Sequence, residues 1–194
     1  MSTVLHPLLL SRLRTETRAQ HDAIEQTLLL MDDDLTVEGY GRRLQQFYGF
    51  YKPVEARILD RSGPVAPWLA VRERRKTPAL EADLKALGLA AAQLPLCASL
   101  PPLASAAECF GCLYVLEGAS LGGLIISRHV EQKLGMSAAC GGSFFGGYGE
   151  HTGAMWQQFR AAITAFSSGT DEQDAVVDSA RATFEALRHW CEEA

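Results

Sequence analysis

The chain has 194 residues, 47% of them apolar, 21% charged and 8% aromatic, which is the composition of one ordinary domain able to bury a core. Eighteen Lys and Arg against twenty-three Asp and Glu give a net charge of −5, excluding a nucleic-acid binder that works through a broad basic face. A local basic cluster for a small anion remains compatible with that balance.

The opening segment MSTVLHPLLLSRLR does not read as a signal peptide, because its apolar run is short, is broken by His6 and Pro7, and precedes its arginines. From Leu10, steps of three and four through Leu13, Thr17, His21, Ile24, Leu28 and Met31 trace one stripe of an amphipathic helix. A second stripe runs through Tyr40, Leu44, Phe47, Tyr51, Val54 and Ile58, with Gly49 and Pro53 predicting a bend. Thr77-Pro78 predicts an N-cap followed by proline at the first helical position, in a helix that ends at Gly88. The stretch from Ala86 to Ala107 carries no charge, but Pro95, Pro101 and Pro102 interrupt it, which argues against a membrane span and for a cytoplasmic protein.

Ser105 and Glu108 have capping-box spacing and open a helix to about Leu134, with Gly135 as its left-handed terminator. The glycine-rich stretch from Gly141 to Gly149 reads as a loop, and the aromatic cluster of residues 143–156 as a structured turn that anchors the next helix. Two helices follow, divided by Ser167-Ser168-Gly169, the second opening on a capping box at Thr170 and Gln173. Strand alternation hardly appears and no repeat is evident. The chain reads as a single all-α domain over residues 1–194.

Five cysteines (Cys97, Cys109, Cys112, Cys140, Cys191) form an odd, scattered set, unsuited to a disulfide framework. Cys109 and Cys112 make a C-x-x-C, but no second pair or paired histidines complete a zinc site. Spacing of i, i+3 in an apolar helix puts both sulfurs on one face, so core packing is the favoured reading over redox or metal chemistry.

Three features depart from a plain bundle. His21 stands in the first stripe where leucine is expected, with Glu25 one turn on and roughly 40° around the helix. A carboxylate there can accept from Nδ1–H and leave Nε2 free for a metal; the competing reading is a core histidine bonded to a neighbour. Arg14 and Arg18 fall roughly 20° and 60° from His21 and suit an anionic cofactor, unless they pair with Glu16 and Asp22 as a solvated flank. The second feature is EGASLGG, residues 117–123: glycines in an apolar helix cost about 1 kcal/mol each against alanine. They serve either close helix packing or the approach of a flat ligand to bare backbone. The third is the aromatic-glycine cluster already named.

On LRTETRAQHDAIE (13–25), YGRRLQQFYGFYKPVE (40–55), KTPALEADLKALG (76–88), LYVLEGASLGGLIISRHV (113–130) and FFGGYGEHTGAMWQQF (144–159), the chain resembles the bacterial, biliverdin-producing haem oxygenases, especially those found beside bacteriophytochromes. The resemblance implies the all-helical haem oxygenase fold, with haem between a proximal helix and a kinked, glycine-rich distal helix. It matches His21 to the iron ligand and Glu25 to the acceptor for its second nitrogen. Gly118, Gly122 and Gly123 match the distal glycines, and Arg14 a propionate partner. Tyr114 lies at the haem edge, with Arg181 and Arg188 as weaker propionate candidates.

Animal members carry an aspartate directly after the first distal glycine, where this chain has Ala119. Ser120, Glu117 and ordered water are the candidate substitutes on the proton route. The implied activity is opening of haem to biliverdin, CO and Fe²⁺ with O₂ and electrons. No flavin or dinucleotide fingerprint is present, so the electrons come from a reductase or ferredoxin-like donor, and a bacteriophytochrome is a candidate recipient of biliverdin. The alternatives are a haem store that has lost turnover and a helical relative that binds another small molecule, such as a thiamin-degrading type.

Overall fold

The computed structural model describes residues 6–61, 63, 65–167 and 169–193, and among them every regular element is helical. The start of the N-terminal segment (residues 1–5) and Ser168, between the last two predicted helices, lie outside the described residues. The helix predicted from Leu10 through Met31 is divided into α1 (His6–Glu16) and α2 (Arg18–Leu28). Thr17 departs from helical geometry at φ −105° and ψ 5°, and its hydroxyl donates to the Leu13 carbonyl at 2.6 Å. Such a back-bond bends a helix without ending it. His21 N–H still donates to the Thr17 carbonyl, so hydrogen bonding continues across the break. Leu29, left-handed at φ 51°, stops α2 and leaves Met31 exposed beyond it.

The helix α3 (Val37–Asp60) runs uninterrupted through Gly49 and Pro53 and buries all of its predicted stripe. Pro53 has no N–H, so the Gly49 carbonyl four residues earlier has no helical donor. It accepts instead from Cys97 N–H at 2.9 Å. Next comes α4 (Thr77–Ala86), in which Thr77 is helical and is not the cap. Glu55 of α3 takes that role, accepting from the N–H groups of Lys76 and Thr77 and from the Thr77 hydroxyl. Gly88, at φ 73°, closes α4 with Leu89 N–H on the Leu84 carbonyl and Gly88 N–H on that of Lys85. The uncharged stretch that follows holds one 3₁₀ turn, Ala91–Gln93, and no long helix.

The predicted capping box opens α5 (Ala106–Leu134), and Gly135 at φ 71° closes it. This helix alone among the described residues is long and apolar enough to cross a membrane, but 56% of its most apolar window is buried in the bundle. It is a core helix. The predicted glycine loop contains a short helix, α6 (Ser143–Gly146), capped across the fold by Asp83, whose carboxylate accepts from Ser143 N–H at 2.8 Å and Phe144 N–H at 2.7 Å. Phe144 and Phe145 then pack on Phe47. The last two helices are α7 (Thr152–Phe166) and α8 (Thr170–Glu193). The capping box predicted at Thr170 and Gln173 does not form. Glu172 accepts from Gly169 N–H at 2.7 Å, and Gln173 turns inward to the Ser167 carbonyl.

The frame is set where α5 crosses α8. A Cβ at Gly111 would run into the Val176 carbonyl and lie 2.7 Å from Ser179 Cβ, so only glycine lets the two backbones come this close. Cys112 lies in that contact beside Thr183 and Cys109 against the Leu103 carbonyl, and burial pushes their thiols up to about 12 and about 11, in agreement with core packing. Gly111→Ala is therefore expected to destabilise the protein by about 1–3 kcal/mol, an overpacking cost read as a lowered midpoint in urea unfolding.

Candidate functional site

His21 sits on α2 with its ring edge-on to Phe184 of α8, 5.8 Å between centroids. Its side chain is 50% exposed, so it is no core histidine: it lies at the margin of the buried stripe. Nδ1 lies 3.7 Å from Glu25 and 3.8 Å from Asp22, ion-pair distances longer than hydrogen bonds. Nε2 has no partner among the described residues. Asp22, which the stripe did not single out, also holds Arg18 at 2.8 Å.

One face of α5 is bare around Gly118 and Gly122. At 100° per residue, Tyr114, Gly118, Leu121, Gly122, Ile125 and His129 fall within about 60° of a common direction. A Cβ at Gly118 or Gly122 would meet no atom within 4 Å, and Ile125 is 63% exposed. Leu121 is exposed as well, which gives α5 apolar surface open to a ligand. Gly123 serves the other reading of the motif: a Cβ there would lie 2.9 Å from the Phe145 carbonyl oxygen. Open space and close packing thus divide one glycine motif between them.

Both α2 and α5 pack on α8, and the segment after α2 is tied to α5. His129 Nε2 is 3.2 Å from the Asp32 carbonyl, and Lys133 reaches the Asp33 carboxylate at 3.1 Å. The charge of Arg14, on α1, opposes the upward pKa shift that burial imposes on the Tyr114 phenol.

Arg14 is exposed and without a partner among the described residues, as an anion site requires. The other proposed cations are engaged. Arg18 pairs with Asp22; Arg181 binds the Glu16 carbonyl and carboxylate and Asp178; Arg188 pairs with Glu192. Ser120 is buried about 200° around α5 from Gly118, against Gly147, and does not reach the bare face. Glu117 is buried too. Its carboxylate accepts from Arg74 and, at 2.6 Å, from the Tyr148 hydroxyl, with Lys76 Nζ 3.4 Å away. Burial lowers the Lys76 pKa to about 8, against the pull of Glu117, and raises that of Tyr148.

Sequence patterns missed Arg43. Its guanidinium donates to the Leu28 and Thr27 carbonyls, the last of α2, at 2.8 and 2.9 Å, and to Gln46, which holds the Cys191 carbonyl. A basic residue paired with a helix C-terminus was the available signal, but its position on α3 hid it. A cavity of about 530 Å³ opens beside it, lined by Asp32, Thr36, Arg42, Arg43 and Gln46 among others, away from His21.

The family model described as heme oxygenase matches residues 8–193. A curated heme oxygenase of Xanthomonas campestris pv. campestris is 35% identical over 121 residues, 61% of this chain and 67% of the relative. Among solved structures, the NO- and CO-bound heme oxygenase of Neisseria meningitidis aligns with a TM-score of 0.79 at 22% identity, over 96% of this chain and 93% of that one. The heme oxygenase of Leptospira interrogans aligns over the full length of both chains, with a TM-score of 0.78 at 20% identity.

The two kinds of glycine are separable without any ligand. Gly118→Ala should be neutral or stabilise by up to about 1 kcal/mol, whereas Gly123→Ala should destabilise, in urea unfolding of the ligand-free protein. Lys76 supplies a pH signature. Between about 8 and its ordinary 10.5 the unfolded chain keeps a proton that the folded chain releases, so this group adds stability as pH rises through that window. Lys76→Met should therefore be most favourable relative to the parent below pH 8, with the difference shrinking toward pH 10 in thermal melts.

Proposed function

Because this chain belongs to the haem oxygenase family, we propose that haem lies in the open slot between α2 and α5, with His21 as its iron ligand. The chain is an enzyme of haem degradation, whose general reaction opens haem to biliverdin, CO and Fe²⁺. Two observations support this reading: Gly118 and Gly122 present bare backbone to open space, and the His21 imidazole is half exposed. The residues fit a flat, largely apolar dianion. Exposed Leu121 and Ile125 suit the ring, and the unpaired Arg14 suits a propionate carboxylate.

When bound, haem supplies both the iron that activates O₂ and the ring that is opened, so the protein contributes placement, proton control and electrostatics. Glu25 and Asp22 lie on the Nδ1 side of His21 and would orient the ring so that Nε2 is left to hold the metal. Phe184 limits rotation of that ring. Gly118 and Gly122 would let a flat ligand approach the distal backbone closely, which no larger residue permits. Ala119 offers no carboxylate, and Ser120 and Glu117 are turned into the bundle, so ordered water on the open face carries protons in this reading.

Electrons come from an external donor, a reductase or ferredoxin-like protein. Biliverdin passes to a bacteriophytochrome. The cytoplasm suits both the donor and five cysteines without a disulfide.

His21→Ala should stay folded, take up haemin weakly and show no turnover with reductant in air; normal turnover would remove His21 from the iron. Gly118→Leu should block haem uptake while leaving stability nearly intact. Arg14→Glu should weaken haemin affinity or change the biliverdin isomer, and an unchanged affinity and isomer would count against the propionate role.

A further inference from the structure

A helix that must keep one face bare has to be held from its other faces. Along residues 118–125, α5 has no packing partner on the slot side, and its glycines cost about 1 kcal/mol each in helix propensity. Glu117, one residue before the first of them, sits about 100° around from Gly118. Its carboxylate is 2% exposed and joins three other parts of the chain. Arg74, from the segment before α4, donates to one oxygen and also grips the Met155 carbonyl of α7 at 3.1 Å. Tyr148 donates to the other oxygen at 2.6 Å. Lys76 stands 3.4 Å from that oxygen and 3.4 Å over the Tyr148 ring.

We propose that Glu117 is a positioning residue for haem oxygenation: its buried carboxylate clamps the start of the glycine run, so that the Gly118 backbone keeps its place against the ring. This rests on the placement of haem in the slot and goes beyond it. Glu117 touches neither substrate nor iron; it acts through the helix. The charge is essential as well as the shape. A glutamine of equal size leaves Arg74 and Lys76 buried with no anion between them, and breaking a buried pair from one side is far more costly than removing both partners. On the opposite side, Gly123 against the Phe145 carbonyl is the second hold, so the loss of Glu117 should loosen the stretch between them and not the whole bundle.

The test compares Glu117→Gln with the parent by amide hydrogen exchange of the haem-free protein, then by haemin affinity and turnover. Amides 118–123 should exchange about tenfold faster than in the parent, those of α8 should change little, haemin affinity should stay within about threefold, and turnover should fall about tenfold. Trp190→Phe, which removes the hydrogen bond from the α8 indole to the Gln46 carbonyl of α3, is the control for general destabilisation. Equal protection loss in α8, the same local loosening in Trp190→Phe, or full turnover despite loosened 118–123 amides would overturn the proposal. Should Glu117→Gln fail to fold, Tyr148→Phe removes a single contact to the carboxylate and should give the same pattern at about a third of the size; no local change would overturn it. If the parent itself takes up no haemin, the slot assignment fails, while the exchange data still decide whether Glu117 clamps the helix.

Discussion

A long apolar helix with one face left bare is the constraint on which this molecule turns. Apolar helices in a bundle bury every face they can, since each exposed apolar side chain forgoes about 1.5–3 kcal/mol of burial. In α5 that rule is suspended from Gly118 to Ile125 and enforced everywhere around it. Before the bare stretch, Gly111 lets α5 press onto the α8 backbone; beside it Glu117 is held by Arg74, Tyr148 and Lys76; behind it Gly123 meets Phe145. The opening is a placed feature of a packed helix, not a region of poor packing.

The facing helix is organised by the same logic with different chemistry. α2 is short and irregular at both ends, broken at Thr17 and stopped by a left-handed Leu29, so its own hydrogen bonds do little to set its position. Phe184 supports the His21 ring, Arg43 holds the last carbonyls, and the Asp32–His129 and Asp33–Lys133 contacts tie the following segment to α5. Exposed ion pairs such as the last are worth only about 0–1 kcal/mol. The end of α2 is thus held from α3, and the segment after it is lightly fastened to α5.

Local signals in the chain were legible where the physics is local. The period of the apolar stripes, the Ser105–Glu108 box and the left-handed glycines at 88 and 135 each depend on a few consecutive residues, and each is present in the fold. What escaped was every cap supplied from another element. Glu55 caps α4, Asp83 caps α6 and Arg43 finishes α2, partners separated by 15 to 61 residues. Thr77 looked like a cap because no sequence window shows Glu55 beside it. The glycine motif was visible, but its division into Gly118 and Gly122 facing space and Gly123 facing backbone depends on α6, itself hidden in a stretch that composition assigns to loop. Arg181 looked available for an anion because its partner Glu16 lies 165 residues away, whereas Arg188 pairs with Glu192 at i, i+4, a spacing the sequence does show.

The proposal that haem binds at His21 and the bare face of α5 is tested most directly by adding haemin to the purified protein, recording the absorption spectrum, and then supplying reductant in air. A Soret band that saturates at one haemin per chain, then decays as a biliverdin band rises in the red, is the result this account predicts. A protein that gives no haemin-dependent Soret band, or one whose Soret band persists unchanged under reductant and O₂, would contradict it.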